Sequence, residues 1–278
     1  MRLLLLALLI PVATSVAAPA DAAPALRAFA EDAAREFGEP GAKAAAFLIA
    51  GMPAADQHSL TKNFLMENLR LAFRARESFP WAKLVPDELF LDHVLPYAQL
   101  DEPRDAWRPK FHPLCGDIVR DCKTATDAVQ ALNSKLFQQI GVKYDTGRKR
   151  PNQSPKESIE QGKASCTGLA IILADACRSV GIPARIAGTA MWTNKRGNHT
   201  WVEVWDGSWH FTGAAEPNPD GLDRAWFSND AAKAVANDPT HAIWANTWHP
   251  AKDHFPLVWN PSDTVSYTHL TLPTIYSV

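Results

Sequence analysis

Ser165-Cys-Thr-Gly-Leu-Ala-Ile-Ile-Leu-Ala-Asp-Ala-Cys-Arg-Ser-Val-Gly-Ile-Pro-Ala-Arg185 contains a helix with almost no polar face. It is apolar nearly all round until Asp175, Arg178 and Ser179 interrupt it. Such a helix is buried in the middle of a domain. Ser165 is placed to cap its start, Gly181 to stop it and Pro183 to prevent continuation. Cys166 then falls in the first turn, where unpaired N–H groups and the positive dipole end favour thiolate over thiol. By itself this is weak evidence of function, because free cysteine is also a common core residue.

The residues downstream supply a partner. Arg185 to Trp192 reads as a strand and Thr193 to Asn198 as a polar loop. His199-Thr-Trp-Val-Glu-Val-Trp205 alternates, Asp206-Gly207 reads as a two-residue hairpin turn, and Ser208 to Thr212 returns. A helix that starts on Cys is thus followed by a strand that starts on His, the arrangement a thiolate–imidazolium pair needs. The turn sets Trp205 opposite Ser208, hence His199 opposite Ala214 and Thr200 opposite Gly213.

Ser165-Cys166-Thr167-Gly168, Gly181-Ile-Pro-Ala-Arg185 and His199-Thr-Trp-Val-Glu-Val204 followed by Trp209 resemble the transglutaminase-like superfamily. The resemblance spans roughly residues 126–227. It implies an α+β fold with a papain-like core, a buried helix packed on an antiparallel sheet. It also implies a Cys–His–acid triad with Cys166 as nucleophile and His199 as base. Members cross-link, hydrolyse amides or peptides, or have lost catalysis. The family usually carries Asp four residues after the Trp of the last strand, and here that position is Gly213. Glu216 is the nearest carboxylate downstream, with Asp220 and Asp223 more remote and Thr212 or a backbone carbonyl as substitutes. The oxyanion would sit on the Cys166 N–H, with Gln161 as the second donor and Gln153 or Trp192 as alternatives.

Upstream the signals are helical. Leu26, Phe29, Ala33 and Phe37 form one stripe ending at Gly38, and Leu60 to Glu77 repeats the pattern. Asp87 is a candidate N-cap for a helix to Leu95, Glu102 to Pro113 reads as an irregular crossing, and Thr126 to Ile140 is helical and closed by Gly141. Ser154-Pro-Lys-Glu157 is a capping box, and Gly162 ends the short helix it opens. The loop before it carries Lys143, Arg148, Lys149 and Arg150, a pattern that usually marks a solvated surface.

Both ends look foreign to the fold. Residues 1–22 have the basic start, apolar run and small-residue stretch of a secretory signal peptide. The run is too short to span a bilayer, so no membrane span is expected in the mature chain, which would be secreted or periplasmic. Residues 265–278 are uncharged and resemble a non-native read-through scar, leaving a helical region at 23–113 and the transglutaminase-like domain at 114–264. Thirty acidic against 28 basic residues give a charge of −2, which offers no global field for nucleic acid.

Four cysteines in an exported chain suggest a disulfide. Cys166 and Cys177 are separated by a helical rise of about 16 Å, too far to bridge. Cys115 and Cys122 are therefore the candidate pair. His241, His249 and His254 match no zinc spacing, no calcium loop is present, and no cofactor is implied. The expectation is cysteine-dependent acyl transfer or hydrolysis on a peptide or protein substrate, with a non-catalytic binding or scaffold module on the same fold as the alternative.

Overall fold

The structure, a computed structural model, describes residues 23–257 and, as backbone, 267–270; the leader assigned to 1–22 lies outside the described residues. The chain begins with helices α1 (Pro24–Ala50), α2 (Ala54–Ser59), α3 (Lys62–Ser78), α4 (Asp87–His93), α5 (Trp107–Val119) and α6 (Ala125–Ile140). Strands β1 (Lys143–Tyr144) and β2 (Lys163–Ala164) pair in parallel around α7 (Pro155–Gln161), and β2 runs directly into α8 (Cys166–Ser179). There follow β3 (Ala184–Thr189), β4 (His199–Trp205), β5 (Trp209–Thr212), α9 (Ser228–Ala231), β6 (Trp244–Asn246), β7 (Asp253–His254) and β8 (Tyr267–Leu270). The antiparallel sheet has the order β5-β4-β3-β6-β8-β7, with α8 packed on it.

Local chemistry explains most of these boundaries. Gly38, at φ 65°, breaks α1 and Pro40 restarts it. Thr61 and Thr124 accept the N–H groups of Phe64 and Asp127, and the Ser154–Glu157 box closes in both directions. Asp87 is not a cap. Pro86 holds that position, and the Asp87 carboxylate accepts a bond from Arg76 at 2.6 Å. The expected irregular crossing is helical from Trp107, because Pro109 falls in the first turn, where no N–H is needed. Pro113 removes only one further bond.

Among the described residues three hydrophobic clusters form: Leu48, Leu69, Phe90 and Val94 centre one among the first helices, α5, α6, α8 and the facing sheet form a second, and Trp192, Trp201, Phe211 and Phe227 form a third beside His199. A border between residues 113 and 114 would cut α5, which packs with the second core. Every residue of α8 except Cys166 is buried. The polar residues that interrupt α8 fasten it to the first half. Asp175 accepts from Gln99, and Arg178 donates to the carbonyls of Ala98 and Ala184. Arg108 of α5, wholly enclosed, donates to Asn68 Oδ1 and to the carbonyls of Val94 and Arg178. Burial pulls these two guanidinium groups down, to about 9 for Arg108 and about 10 for Arg178.

Two expectations change. The hairpin loop has three residues, not two: Trp205 pairs with Trp209 and Val202 with Thr212, one step from the expected register. Asp206 is drawn out of a tight turn because its carboxylate accepts both the N–H and the hydroxyl of Thr126 at the start of α6. Cys115 and Cys122 are free thiols, as are Cys166 and Cys177. Cys115 faces inward from α5 against Ser179, and burial pushes it up to about 12, whereas Cys122 lies in the turn past the helix end. Four residues of the segment read as a scar, Tyr267–Leu270, pair with both β6 and β7. Thr and Tyr favour extended chain, and β6 offers an unpaired edge. The rest of 265–278 lies outside the described residues.

Candidate active site

Four close approaches fix Cys166. Ser165 Oγ accepts from Gly168 N–H at 3.0 Å and donates to the Pro151 carbonyl. A β-carbon on Gly168 would stand 2.9 Å from Ala164 Cβ, so glycine there lets β2 lie against the first turn of α8. Lys143 pairs with Lys163 and Tyr144 with Ala164, and Asp145 N–H reaches the Ala164 carbonyl at 3.0 Å. The loop after β1 therefore runs beside Cys166. Thr167 Oγ1 meets Thr200 Oγ1 at 3.1 Å, tying the start of α8 to β4 one residue past His199.

Cys166 and His199 line one cleft of about 640 Å³. Asn198 and Thr200 flank His199 on its wall, Ala214, Ala215, Glu216 and Trp226 form another, and Lys143, Tyr144, Arg148 and Pro151 a third. His199 is 9% exposed and boxed by aromatic rings, with Phe227 at 4.8 Å and Trp226 at 4.9 Å between ring centroids. Its Nε2 is enclosed with no hydrogen-bond partner among the described residues. Burial lowers the imidazole pKa to about 4. At neutral pH that burial favours the uncharged ring.

Glu216 reaches the cleft but not the imidazole. Its carboxylate accepts the Trp226 indole N–H at 2.9 Å and lies 2.5 Å from where a Gly213 β-carbon would be. The missing side chain at 213 has its space filled from 216, and burial raises the Glu216 pKa. Two features bend the chain to this position. Ala215 takes φ 62°, and Asn133 of α6 accepts from Ala215 N–H while donating to the Gly213 carbonyl, both at 2.8 Å. Asp223 is engaged elsewhere, by His210 and Phe211 N–H.

None of the expected oxyanion side chains lines the cleft. Gln161 accepts from Lys149 N–H and donates to the Glu157 carbonyl, bracing the basic loop. Gln153 is fully buried and donates to the Lys163 carbonyl. Trp192 stacks on Trp201 beside His199. Sequence reasoning missed Asn133, Tyr144 and Trp226. Asn133 alone carried a signal, as a polar residue on the apolar stripe of α6. Among the described residues no three His, Cys, Asp or Glu side chains are grouped to hold a metal, and no helix is long and apolar enough to cross a membrane.

Residues 113–231, less than half of the chain, match the family model described as the Transglutaminase-like superfamily. That segment holds the α8-on-sheet arrangement, an α+β core of the transglutaminase-like kind. Among solved structures the chain resembles a "Putative Cysteine Protease" from Cytophaga hutchinsonii at 23% identity and a TM-score of 0.36, over 46% of this chain and 44% of that one. It also resembles Legionella pneumophila LapG (EGTA-treated) at 17% identity and a TM-score of 0.30, over 54% of this chain and 78% of that one. The chain spans less than half the length of the first of these. No curated protein matches its sequence.

Proposed function

We propose that this protein is a cysteine-dependent acyl-transfer enzyme or hydrolase acting at a carboxamide or peptide carbonyl. The observation that carries the reading is the shared cleft: Cys166 from the start of α8 and His199 from the start of β4 line the same cavity. The neutral His199 Nδ1 takes the Cys166 thiol proton as sulfur bonds to the carbonyl carbon. The oxygen gathers the negative charge against the Cys166 N–H, one of the unpaired groups at the helix start. Collapse expels the amine, which leaves with the proton from Nδ1. Water or an acceptor amine then attacks the thioester, gives its proton to Nδ1 and restores the thiol. Glu216 acts on His199 at one remove, by holding the Trp226 ring against the imidazole. The layout of residues 1–22 supports secretion or a periplasmic location.

Cys166 alkylation by iodoacetamide at pH 7, with the modified site read by mass spectrometry, tests this. His199→Ala is expected to slow it about tenfold or more. An unchanged rate would leave a non-catalytic module on the same fold, a reading the unpartnered Nε2 favours.

A further inference from the structure

The wall of the cleft opposite in charge to the rest of the molecule is basic, and it stands beside the nucleophile. From the charge of that wall we infer that the acyl donor is an acidic peptide, one whose carboxylate next to the reacting carbonyl docks on Lys143 and Arg148. This rests on the cysteine-enzyme reading above and names the substrate class of the same site. Lys143 and Arg148 both line the cleft, and neither is ion-paired with an acid among the described residues. Arg148 is half-buried and spends one N–H group on the Thr146 carbonyl. Arg150, outside the cleft, has Glu157 at 3.4 Å. The loop's own acid, Asp145, turns back onto Gly147 N–H and does not line the cavity.

The lining's one carboxylate, Glu216, is engaged by the Trp226 indole N–H, and burial raises its pKa. A chain with net charge −2 therefore presents two positive groups where substrate would lie. The position of Lys143 is set by backbone pairing, since β1 is paired with β2, which ends two residues before Cys166. Tyr144 and Trp226, 60% and 58% exposed, add flat apolar surfaces at the rim, suited to an extended peptide.

The test compares iodoacetate, an anionic thiol probe, with the neutral iodoacetamide on the full chain, reading Cys166 by mass spectrometry. The ratio of the two rates cancels the intrinsic reactivity of the thiol. Lys143→Gln combined with Arg148→Gln is expected to lower the iodoacetate-to-iodoacetamide ratio at least about threefold at low salt. Lys149→Gln with Arg150→Gln, an equal change in net charge outside the cleft, is expected to leave it within that limit. In the unaltered protein, raising salt is expected to lower the ratio in the same direction, so the outcome does not depend on one variant folding. A smaller change in the cleft pair, an equal change in the control pair, or a salt-independent ratio overturns the inference. Failure of the cysteine-enzyme reading shows separately, as iodoacetamide labelling indifferent to His199→Ala.

Discussion

His199 is surrounded by rings rather than by charge, and that sets its titration. Its folded pKa is depressed to about 4 from an ordinary 6.5, so between those values the unfolded chain binds more protons. Stability contributed by the neutral ring is fully present above pH 6.5 and is lost as pH falls to 4, about 3 kcal/mol in all. His199→Phe keeps a ring in the box without a titrating group. Its urea-unfolding free energy, measured against the unaltered protein from pH 4 to 7, is expected to gain about that much in relative terms at the acid end. A flat difference would mean that the ring is not desolvated. Cys166 and His199 were legible because each begins an element, and element starts are marked by local caps and alternation. The contacts of Glu216 were not. They need a left-handed Ala215 and a bond from Asn133, eighty-two residues earlier, and neither leaves a local trace.

At the scale of elements, α8 was the most readable feature and β5 among the least. The sequence of α8 supplies both ends and its burial, since no face could meet water. The β4–β5 register slipped by one because Asp206 serves α6, a choice made across the fold rather than within the turn. The start of α8 also depends on a short approach. Gly168→Ala would bring a β-carbon to 2.9 Å from Ala164 Cβ and press β2 away from the helix. An expected loss of about 1–3 kcal/mol in chemical denaturation, with slower Cys166 alkylation, follows from that overpacking. A gain in stability, as helix propensity alone would give, would show that the contact relaxes freely.

At the scale of the whole molecule, the cluster among the first helices is tied to the rest by buried polar bonds: Arg108 donates to Asn68 and to the Arg178 carbonyl, Gln99 to Asp175, and Asp92 accepts from the Thr247 hydroxyl and the Trp248 N–H. Truncating Arg108 to Ala would leave the carbonyls of Val94 and Arg178 buried without that donor, at an expected cost of about 3 kcal/mol or more. Calorimetry of the unaltered protein is expected to show one transition, and two separate ones would mean that the halves unfold independently. Residues 23–113 were legible as helical from their periodicity. Their attachment was not, because the partners of Asp175, Arg178 and Arg108 lie far away in the chain and leave no local pattern.

The parallel pairing of β1 with β2 has a consequence for how the proposed enzyme could diversify. The strip proposed to meet the substrate and the strand that leads into Cys166 are hydrogen-bonded neighbours, yet they are separated by a loop and a short helix in the chain. Insertions or exchanges among residues 146–150 can retune selectivity while the scaffold beneath the thiol stays in place. Grafting other loops between Asp145 and Pro151 is thus a natural route to new preferences on an unchanged reaction.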